Sequence, residues 1–312
     1  MALYLVTGGA GFIGSNLVEA LVAEGHQVRV LDNLATGHRH NLAHVASKIE
    51  FHDGDIRSYH LVRAAMEGVD FVLHQAALPS VPRSVRDPIT SNAVNIDGTL
   101  NVLHAAREAG VQRVVLASSS SVYGANPALP KQESMCPQPR SPYAITKLVT
   151  EQYGQVFCEL YGLETVSLRY FNVFGPRQDP NSPYAAVIPL FIRALAAGEP
   201  LTIHGDGTQS RDFTYIDNVV RANLLACTAP EAAGAVVNVA CGERYTLLEL
   251  VDRLAEILGA EPKIVHTPPR PGDVPHSLAD ISRARALLGY EPVVDFGEGL
   301  RRTAAWITQT MA

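Results

Sequence analysis

The 312-residue sequence predicts an α/β fold: a doubly wound parallel sheet with a smaller α/β lobe at the C-terminal end. Three observations lead to this prediction. Short apolar runs typical of buried strands alternate with segments whose apolar residues recur at helical spacing. A glycine-rich turn separates the first strand from the first helix, and an aspartate ends the second strand. Repeated strand–helix–strand units imply parallel pairing through right-handed crossovers.

The predicted elements follow one another through the first half of the chain. Strands are expected at 3–7, 27–31, 49–52, 71–75, 114–118 and 165–170, and the clearest helices at 14–24, 92–108 and 143–161. Beyond residue 171, prolines interrupt the pattern, which is typical of segments that line a cleft. We therefore predict one lobe over 1–171 and a smaller one over 172–312. Strands at 213–216 or 236–239 could rejoin the large sheet.

Composition excludes several classes of protein. Hydrophobic residues make up 47% and charged residues 18%, as in globular proteins rather than disordered ones. The net charge of −6 argues against a nucleic-acid binder, which neutralises phosphates with basic residues. No apolar run is long enough to span a membrane. The cysteines form no C-x-x-C pair and the histidines do not cluster with acids, so we expect no metal site and a cytoplasmic location.

The turn over residues 7–14 predicts a dinucleotide site and makes the sheet Rossmann-type. Its glycines permit a tight turn, and the helix that follows presents free backbone N–H groups to a pyrophosphate. Asp32, at the end of the second strand, has the position of a carboxylate that binds the adenosine ribose. Because this carboxylate would repel a 2′-phosphate, we expect NAD rather than NADP.

Three further residues predict proton-transfer chemistry. Tyr143 and Lys147 are four residues apart on one predicted helix and therefore share a face. Free tyrosine has a pKa near 10, but an ammonium group and a positively charged nicotinamide both favour the phenolate, so we expect a lowered pKa. Ser119 ends a buried strand, at the sheet edge where open α/β folds bind their ligands. A serine hydroxyl there can relay a proton to the tyrosine.

At this point the sequence resembles the extended short-chain dehydrogenase/reductases. Within them it is similar to the nucleotide-sugar 4-epimerases that act on UDP-glucose and UDP-N-acetylglucosamine. The resemblance covers nearly the whole chain and rests on the residues above together with 169–176, 205–207, 211–217 and 270–273. It implies 4-epimerisation of a UDP-hexose through a transient 4-keto sugar, with Tyr143 taking the O4 proton and bound NAD exchanging the hydride. It also implies a homodimer built through a four-helix interface.

The resemblance assigns further residues to two binding sites. Those expected to bind NAD are Gly8, Gly11, Phe12, Ile13, Gly14, Asp32, Asn33, Asp55, Ile56, Gln75, Ala76, Ala77, Asn95, Tyr143 and Lys147. Those expected to bind the UDP-sugar are Ser80, Ser119, Ser120, Tyr143, Asn172, Val187, Thr202, His204, Arg211, Arg270 and Asp273. The arginines suit a diphosphate, because guanidinium groups pair with phosphate oxygens in a bidentate way. Plain packing remains an alternative for Gln75, Ala76 and Asn95, and surface ion pairing for the arginines.

Departures from the family pattern narrow the reaction. Ser120 and Ser121 stand where the 4,6-dehydratases have Asp–Glu, so the acid and base for water elimination are missing. Ser277 occupies the position that gates the sugar pocket, and its small side chain leaves room for an N-acetyl group. We therefore expect UDP-GlcNAc and UDP-GalNAc to be accepted, alongside or in preference to UDP-Glc and UDP-Gal.

Two other functions stay open on the sequence. One is a UDP-glucuronate 4-epimerase, in which Arg177 would bind the sugar carboxylate. The other is a catalytically silent, dinucleotide-sensing regulator, which would be expected to lose Tyr143 or Lys147; the sequence keeps both.

Overall fold

A computed structural model describes residues 1–180, 185–269 and 274–311, and its centre is a seven-stranded sheet. The described strands are β1 (Leu3–Thr7), β2 (Gln27–Asp32), β3 (Ile49–Asp53), β4 (Phe71–His74), β5 (Arg113–Ser119), β6 (Glu164–Tyr170), β7 (Val173–Phe174), β8 (Leu201–His204), β9 (Ser210–Arg211), β10 (Thr214–Tyr215), β11 (Val236–Val239), β12 (Tyr245–Thr246) and β13 (Ile264–Thr267). The large sheet has the order β11-β6-β5-β4-β1-β2-β3, and all its strands are parallel. The predicted doubly wound α/β fold is confirmed.

Helices cover both faces of this sheet. They are α1 (Phe12–Ala23), α2 (Tyr59–Ala65), α3 (Val81–Arg86), α4 (Pro88–Asn92), α5 (Gly98–Ala109), α6 (Pro142–Tyr161), α7 (Val187–Ala197), α8 (Ile216–Thr228), α9 (Leu247–Leu258), α10 (Ser282–Leu288) and α11 (Phe296–Met311). Tyr4 and Val6 of β1 join the apolar cluster that contains α1 and α8, whereas Leu5 joins the cluster of α2 and α5. Side chains alternate between faces along a strand, so an apolar run without polar interruptions requires helices on both sides. In the described ranges, no helix has the length and apolarity needed to cross a membrane.

The helix predicted at 92–108 is part of a longer helical stretch. It begins at α4, passes through a π-helical turn over Ala93–Asp97 and continues as α5. Asp87 caps its start by accepting the Thr90 N–H at 3.0 Å, and Gly110 ends it in the left-handed conformation. The π turn carries Asn95, whose side-chain oxygen accepts the Leu78 N–H at 2.8 Å. Turns of this kind are often found beside functional sites, and this one borders the segment that follows β4.

The second half of the chain contributes to the large sheet and also builds small sheets of its own. Of the two segments that could have rejoined the large sheet, 236–239 does so as β11, beside β6. The other segment does not, because β10 pairs with β7. Two more short pairs, β9 with β12 and β8 with β13, complete the strands described here. The lobe boundary near residue 171 remains a prediction.

Asp212 ties the second half of the chain together. Its side chain is fully buried, and its carboxylate accepts the backbone N–H groups of Cys241, Gly242 and Ala279 at 3.0, 3.1 and 3.1 Å. Cys241 and Gly242 follow β11, and Ala279 precedes α10. One carboxylate therefore joins its own segment to two others that are distant in sequence. Buried backbone donors need such an acceptor.

Replacing Asp212 with alanine leaves those three donors without an acceptor. The Ala279 N–H is buried, whereas Cys241 is half-buried and Gly242 is exposed, so water can replace the acceptor for part of this set. An unsatisfied buried donor costs about 1–3 kcal/mol, so Asp212→Ala should lower the free energy of unfolding by about 2 kcal/mol or more. Urea unfolding followed by circular dichroism measures this loss. Asp206→Ala is the matched control, since it removes an exposed carboxylate that accepts the Thr208 N–H, and a loss below about 1 kcal/mol is expected. Equal losses in the two variants would contradict the role given to Asp212.

Candidate active site

The glycine turn lies between β1 and α1, at the carboxyl edge of the sheet. A Cβ atom on Gly14 would lie 2.1 Å from the Gly8 carbonyl oxygen, and one on Gly8 would lie 2.7 Å from the Ala76 nitrogen. Gly8 also has a φ of +69°, which disfavours other residues. Gly11, the N-cap of α1, brings no side chain over the helix N-terminus. The turn is therefore a cradle of bare backbone that fits a pyrophosphate.

Asp32 lies beside this cradle and is buried. One carboxylate oxygen accepts the Ala10 N–H at 2.9 Å and the other accepts the Leu34 N–H at 2.7 Å. Burial raises the pKa of Asp32, and the two backbone hydrogen bonds oppose that rise. Each oxygen keeps acceptor capacity for a ribose hydroxyl, because a carboxylate offers about four lone-pair sites.

Asn33 and Asp55 meet at the neighbouring strand ends. The Asn33 side-chain amide donates to the Asp55 carboxylate at 2.9 Å. Hydrogen bonds from Arg57 are the main reason that the pKa of Asp55 is lowered to about 2. Ile56, the next predicted cofactor contact, is buried. The structure thus brings Asp32, Asn33 and Asp55 to one edge of the sheet.

The segment after β4 forms a wall beside the turn. The Gln75 amide donates to the Tyr170 hydroxyl at 3.1 Å and to the Asn223 side chain at 3.2 Å. The Ala76 N–H donates to the Thr7 hydroxyl at 3.3 Å. The Asn95 side-chain NH₂ group donates to the Thr146 hydroxyl at 3.1 Å, and its side-chain oxygen accepts the Leu78 N–H. Gln75 and Asn95 thus have packing partners of their own, and a cofactor contact by these side chains remains a prediction.

The three predicted catalytic residues come together at the end of β5. The Lys147 ammonium donates to the Ala117 carbonyl at 2.7 Å and lies 6.0 Å from the centre of the Tyr143 ring. The Ser119 hydroxyl lies close enough to the Tyr143 phenol to lower its pKa. Helix α6 starts at Ser141, whose hydroxyl accepts the Ala144 N–H at 3.1 Å, with a proline in its first turn. This cap places Tyr143 in the first turn of α6 and Lys147 one turn later.

The pKa of Tyr143 differs from the sequence-based expectation. Burial raises it to about 12, and the neighbouring Ser119 hydroxyl acts in the opposite direction. Burial also lowers the pKa of Lys147 to about 8, and the nearby Glu151 carboxylate opposes that change. The side chains of the protein alone therefore do not lower the pKa of Tyr143, and the expected lowering in the presence of NAD stays a prediction. A phenolate at this position needs additional positive charge.

Candidate substrate residues lie both beside Tyr143 and in the second half of the chain. The buried Ser80 caps α3 by accepting the Arg83 N–H at 3.1 Å, and the half-buried Ser120 follows Ser119 directly. The Asn172 amide donates to the Asp212 carbonyl at 3.1 Å. Val187 is the first residue of α7, and Thr202 is exposed on β8.

A cavity of about 780 Å³ lies near the end of β8. Its lining comprises His204, Gly205, Asp206, Thr208, Gln209, His266, Thr267, Pro269, Pro275 and His276. His204 shares a 2.7 Å hydrogen bond with the Thr267 hydroxyl, and Arg211 donates to the carbonyls of Ser210 and Pro275 at 3.0 and 3.1 Å. Arg270 and Asp273 lie outside the described residues. Across the described ranges, no group of three His, Cys, Asp or Glu residues could hold a metal ion.

A buried ion pair that the sequence patterns above do not predict lies behind Lys147. Two guanidinium nitrogens of Arg169 donate to the two oxygens of Glu151 at 2.8 Å each, and the Ser118 hydroxyl also donates to Glu151. The sequence contains one indication of this carboxylate near Lys147: Glu151 follows Lys147 by four residues, so the two share a face of the same helix.

Arg177 does not lie free at the predicted sugar site. Its guanidinium donates to the side chains of Asn16 and Glu19 on α1, both at 2.5 Å. The positive charge that the glucuronate alternative required is therefore paired with a carboxylate on another element.

Comparison with known proteins places these features in a family. The profile of the NAD dependent epimerase/dehydratase family matches residues 4–240. A UDP-glucose 4-epimerase of Mycolicibacterium smegmatis is 42% identical over 303 residues, which cover 96% of each chain. Among solved structures, the UDP-N-acetylglucosamine 4-epimerase of Methanobrevibacter ruminantium in complex with UDP-N-acetylmuramic acid is 42% identical, with a TM-score of 0.95 and 99% of each chain covered. The UDP-glucuronic acid 4-epimerase of Bacillus cereus, with UDP-glucuronic acid and NAD, is 33% identical, with a TM-score of 0.91 and 99% of each chain covered.

The glycine cradle yields a prediction about NAD binding. In Gly14→Ala the new methyl group would collide with the Gly8 carbonyl, so α1 must move away and the affinity for NAD should fall at least about tenfold. Equilibrium titration with NAD measures this. Gly25→Ala is the control at the other end of α1: its Cβ meets open space, and only the strain of a φ of +79° is added. Gly25→Ala should bind NAD as the parent does; unchanged NAD binding by Gly14→Ala would refute the cradle.

Proposed function

Because the chain belongs to the NAD dependent epimerase/dehydratase family, we propose that it is a UDP-sugar 4-epimerase whose substrates include UDP-N-acetylhexosamines. One observation carries this proposal. The Tyr143 phenol lies beside Ser119 and one helical turn from Lys147, at the same sheet edge as the glycine cradle. A proton-transfer group and a dinucleotide cradle at one edge suit oxidation and reduction of a hydroxyl carbon.

The residues described above fit NAD. Gly8, Gly11 and Gly14 would hold the pyrophosphate, Asp32 the adenosine ribose and Lys147 the nicotinamide ribose. When bound, NAD supplies the hydride acceptor and donor for C4 of the sugar and a positive charge near Tyr143. The contacts of Phe12, Ile13 and Ala77 with NAD remain predictions on the same ground.

Tyr143 would move the O4 proton in both directions. It takes the proton while the sugar is oxidised and returns it after the 4-keto sugar has turned over, so the same group acts as base and then as acid. One pKa unit corresponds to about 1.4 kcal/mol, so lowering the pKa of Tyr143 from about 12 to about 7 requires about 7 kcal/mol of stabilisation of the phenolate. Ser119 supplies a hydrogen bond to the phenolate, and the buried Lys147 ammonium and the charge of oxidised nicotinamide supply attraction.

The preference for an N-acetylated sugar rests on Ser277. This small, half-buried residue donates its N–H to the Ser210 carbonyl at 3.0 Å, on the strand that carries Arg211. A serine there leaves space that a bulky residue would fill.

The UDP-glucuronate alternative loses support, because Arg177 is bound to Glu19. The silent-regulator alternative loses support as well, because Ser119, Tyr143 and Lys147 are assembled together.

Assays with three purified UDP-sugars test the proposal. We expect turnover of UDP-GlcNAc at least equal to that of UDP-Glc and little turnover of UDP-glucuronate, measured by chromatographic separation of the 4-epimers. Turnover of UDP-Glc at least about tenfold higher than that of UDP-GlcNAc would contradict the N-acetyl preference. Turnover of none of the three would overturn the function itself.

The matched variants for this assay are Tyr143→Phe and Tyr153→Phe, both on α6. Loss of the proton-transfer group should lower kcat of Tyr143→Phe by about 100-fold or more while NAD stays bound. Tyr153→Phe should retain parental kcat.

We also propose that the protein is a cytoplasmic homodimer. Support for the location comes from the four cysteines, which are free thiols within the described ranges.

Support for the dimer comes from α6, which exposes Ile145, Val156 and Leu160 along one face, with Ile89 of the adjacent α4 also exposed. A continuous apolar surface across neighbouring helices is typical of a protein–protein interface. By contrast, Val102 and Leu103 of α5 and Phe157 of α6 are buried in the core.

A charge on this face should separate the subunits. Val156→Glu is expected to halve the molecular mass measured by light scattering after gel filtration, because a carboxylate cannot be buried there without a partner. Val293→Glu, an exposed apolar position outside α4 and α6, should leave the mass unchanged. A parental protein that is monomeric at micromolar concentration would refute the dimer.

A further inference from the structure

Three consecutive residues at the end of β5 each lie against one side chain from α6. The Ala117 carbonyl accepts from Lys147, the Ser118 hydroxyl donates to Glu151, and the Ser119 hydroxyl lies beside the Tyr143 phenol. The α6 residues are spaced by four, so they lie on one helix face. The mechanism above uses two of these three contacts and leaves the contact to Glu151 without a role.

Glu151 is an unusual residue to find in such a position. Its side chain is 3% exposed and that of Arg169 is 4% exposed, so both charges of the pair are removed from water. A buried ion pair is expensive to desolvate and contributes little net stability compared with apolar residues of similar volume. Stability alone therefore does not account for a carboxylate one turn beyond Lys147.

We propose that Glu151 is a positioning residue of the Tyr143–Lys147 site. It holds α6 in register on β5 through Ser118 and on β6 through Arg169, and it places a fixed negative charge one helical turn beyond the Lys147 ammonium. This inference rests on the proposed function only for its effect on turnover.

The other groups around Lys147 cannot supply that negative charge. On α6 itself, Tyr143 is held neutral, since burial raises its pKa. On β4, His74 is buried between the hydroxyls of Thr7 and Thr99, at 2.7 and 3.0 Å. Burial and the charge of Lys147 lower the pKa of His74 to about 3, so it is neutral.

From β6, the only charge near this part of α6 is Arg169, which binds both oxygens of Glu151. Glu151 is thus the carboxylate that favours the protonated form of Lys147, against the burial that disfavours it. Loss of this carboxylate should make Lys147 release its proton at lower pH.

The principal variant is the double substitution Glu151→Gln with Arg169→Met. It removes both charges and keeps an acceptor for the Ser118 hydroxyl, whereas Glu151→Gln alone would leave a buried, unpaired arginine. Glu159→Gln is the matched control, because Glu159 is an exposed carboxylate on the same helix. If the double variant does not fold, Glu151→Asp, which keeps the charge but shortens its reach, replaces it.

The direct readout is the titration of Lys147 in the protein alone, followed by NMR of lysine labelled with ¹³C at Cε. The chain has four lysines, Lys48, Lys131, Lys147 and Lys263, so the spectrum can be assigned with a Lys147→Met variant. In the double variant we expect the pKa of Lys147 to fall by about 1, and the alkaline limb of the kcat–pH profile to move by the same amount. In Glu159→Gln both should match the parent.

In Glu151→Asp we expect a lower pKa of Lys147 and a lower kcat with an unchanged KM. The inference would be overturned if Lys147 titrated in the folded double variant as it does in the parent. If the double variant does not fold, the same result in Glu151→Asp would overturn it. The titration is read without substrate, so it is independent of the assay with UDP-sugars. Absence of turnover in the parent would overturn the proposed function and leave this result standing.

Discussion

The docking of α6 on the end of β5 is the contact on which the site depends. Hydrogen bonds at Ala117 and Ser118, together with the contact between Ser119 and Tyr143, fix one face of the helix against one strand end. If the helix rotated or slid by one residue, the phenol, the ammonium and the carboxylate would all lose their partners together. The cap at Ser141 and the Glu151–Arg169 pair restrain the helix at the two ends of this contact.

The parallel sheet explains why the other functional groups gather at the same edge. All strand ends of the same polarity meet there, so the glycine turn after β1, Asp32 at the end of β2, the wall after β4 and Ser119 at the end of β5 become neighbours. β11, from the second half of the chain, extends this sheet. Asp212, which follows Arg211 in the chain, accepts hydrogen bonds from Cys241, just after β11, and from Ala279. β11 and Asp212 therefore tie the segment that carries Arg211 to the large sheet.

Burial sets the electrostatics of this edge. The same desolvation raises the pKa of Tyr143 and lowers that of Lys147 to about 8, so it disfavours the charged form of both groups, although Lys147 still keeps its proton at neutral pH. Glu151 is the side chain that acts against this tendency for Lys147. Ionisation of Tyr143 at neutral pH consequently depends on the charges placed around it, rather than on the Tyr143–Lys147 spacing alone.

The sequence by itself determined the sheet class, the glycine cradle, the acid after β2 and the pairing of Tyr143 with Lys147, because these depend on spacing within one strand, turn or helix. It could not decide which of 213–216 and 236–239 joins the large sheet, that Arg177 binds Glu19, or that burial opposes the acidification of Tyr143. Only the tertiary structure decided these points. The partner of a buried group is set by elements far apart in the chain, and the cost of desolvating a charge depends on everything packed around it.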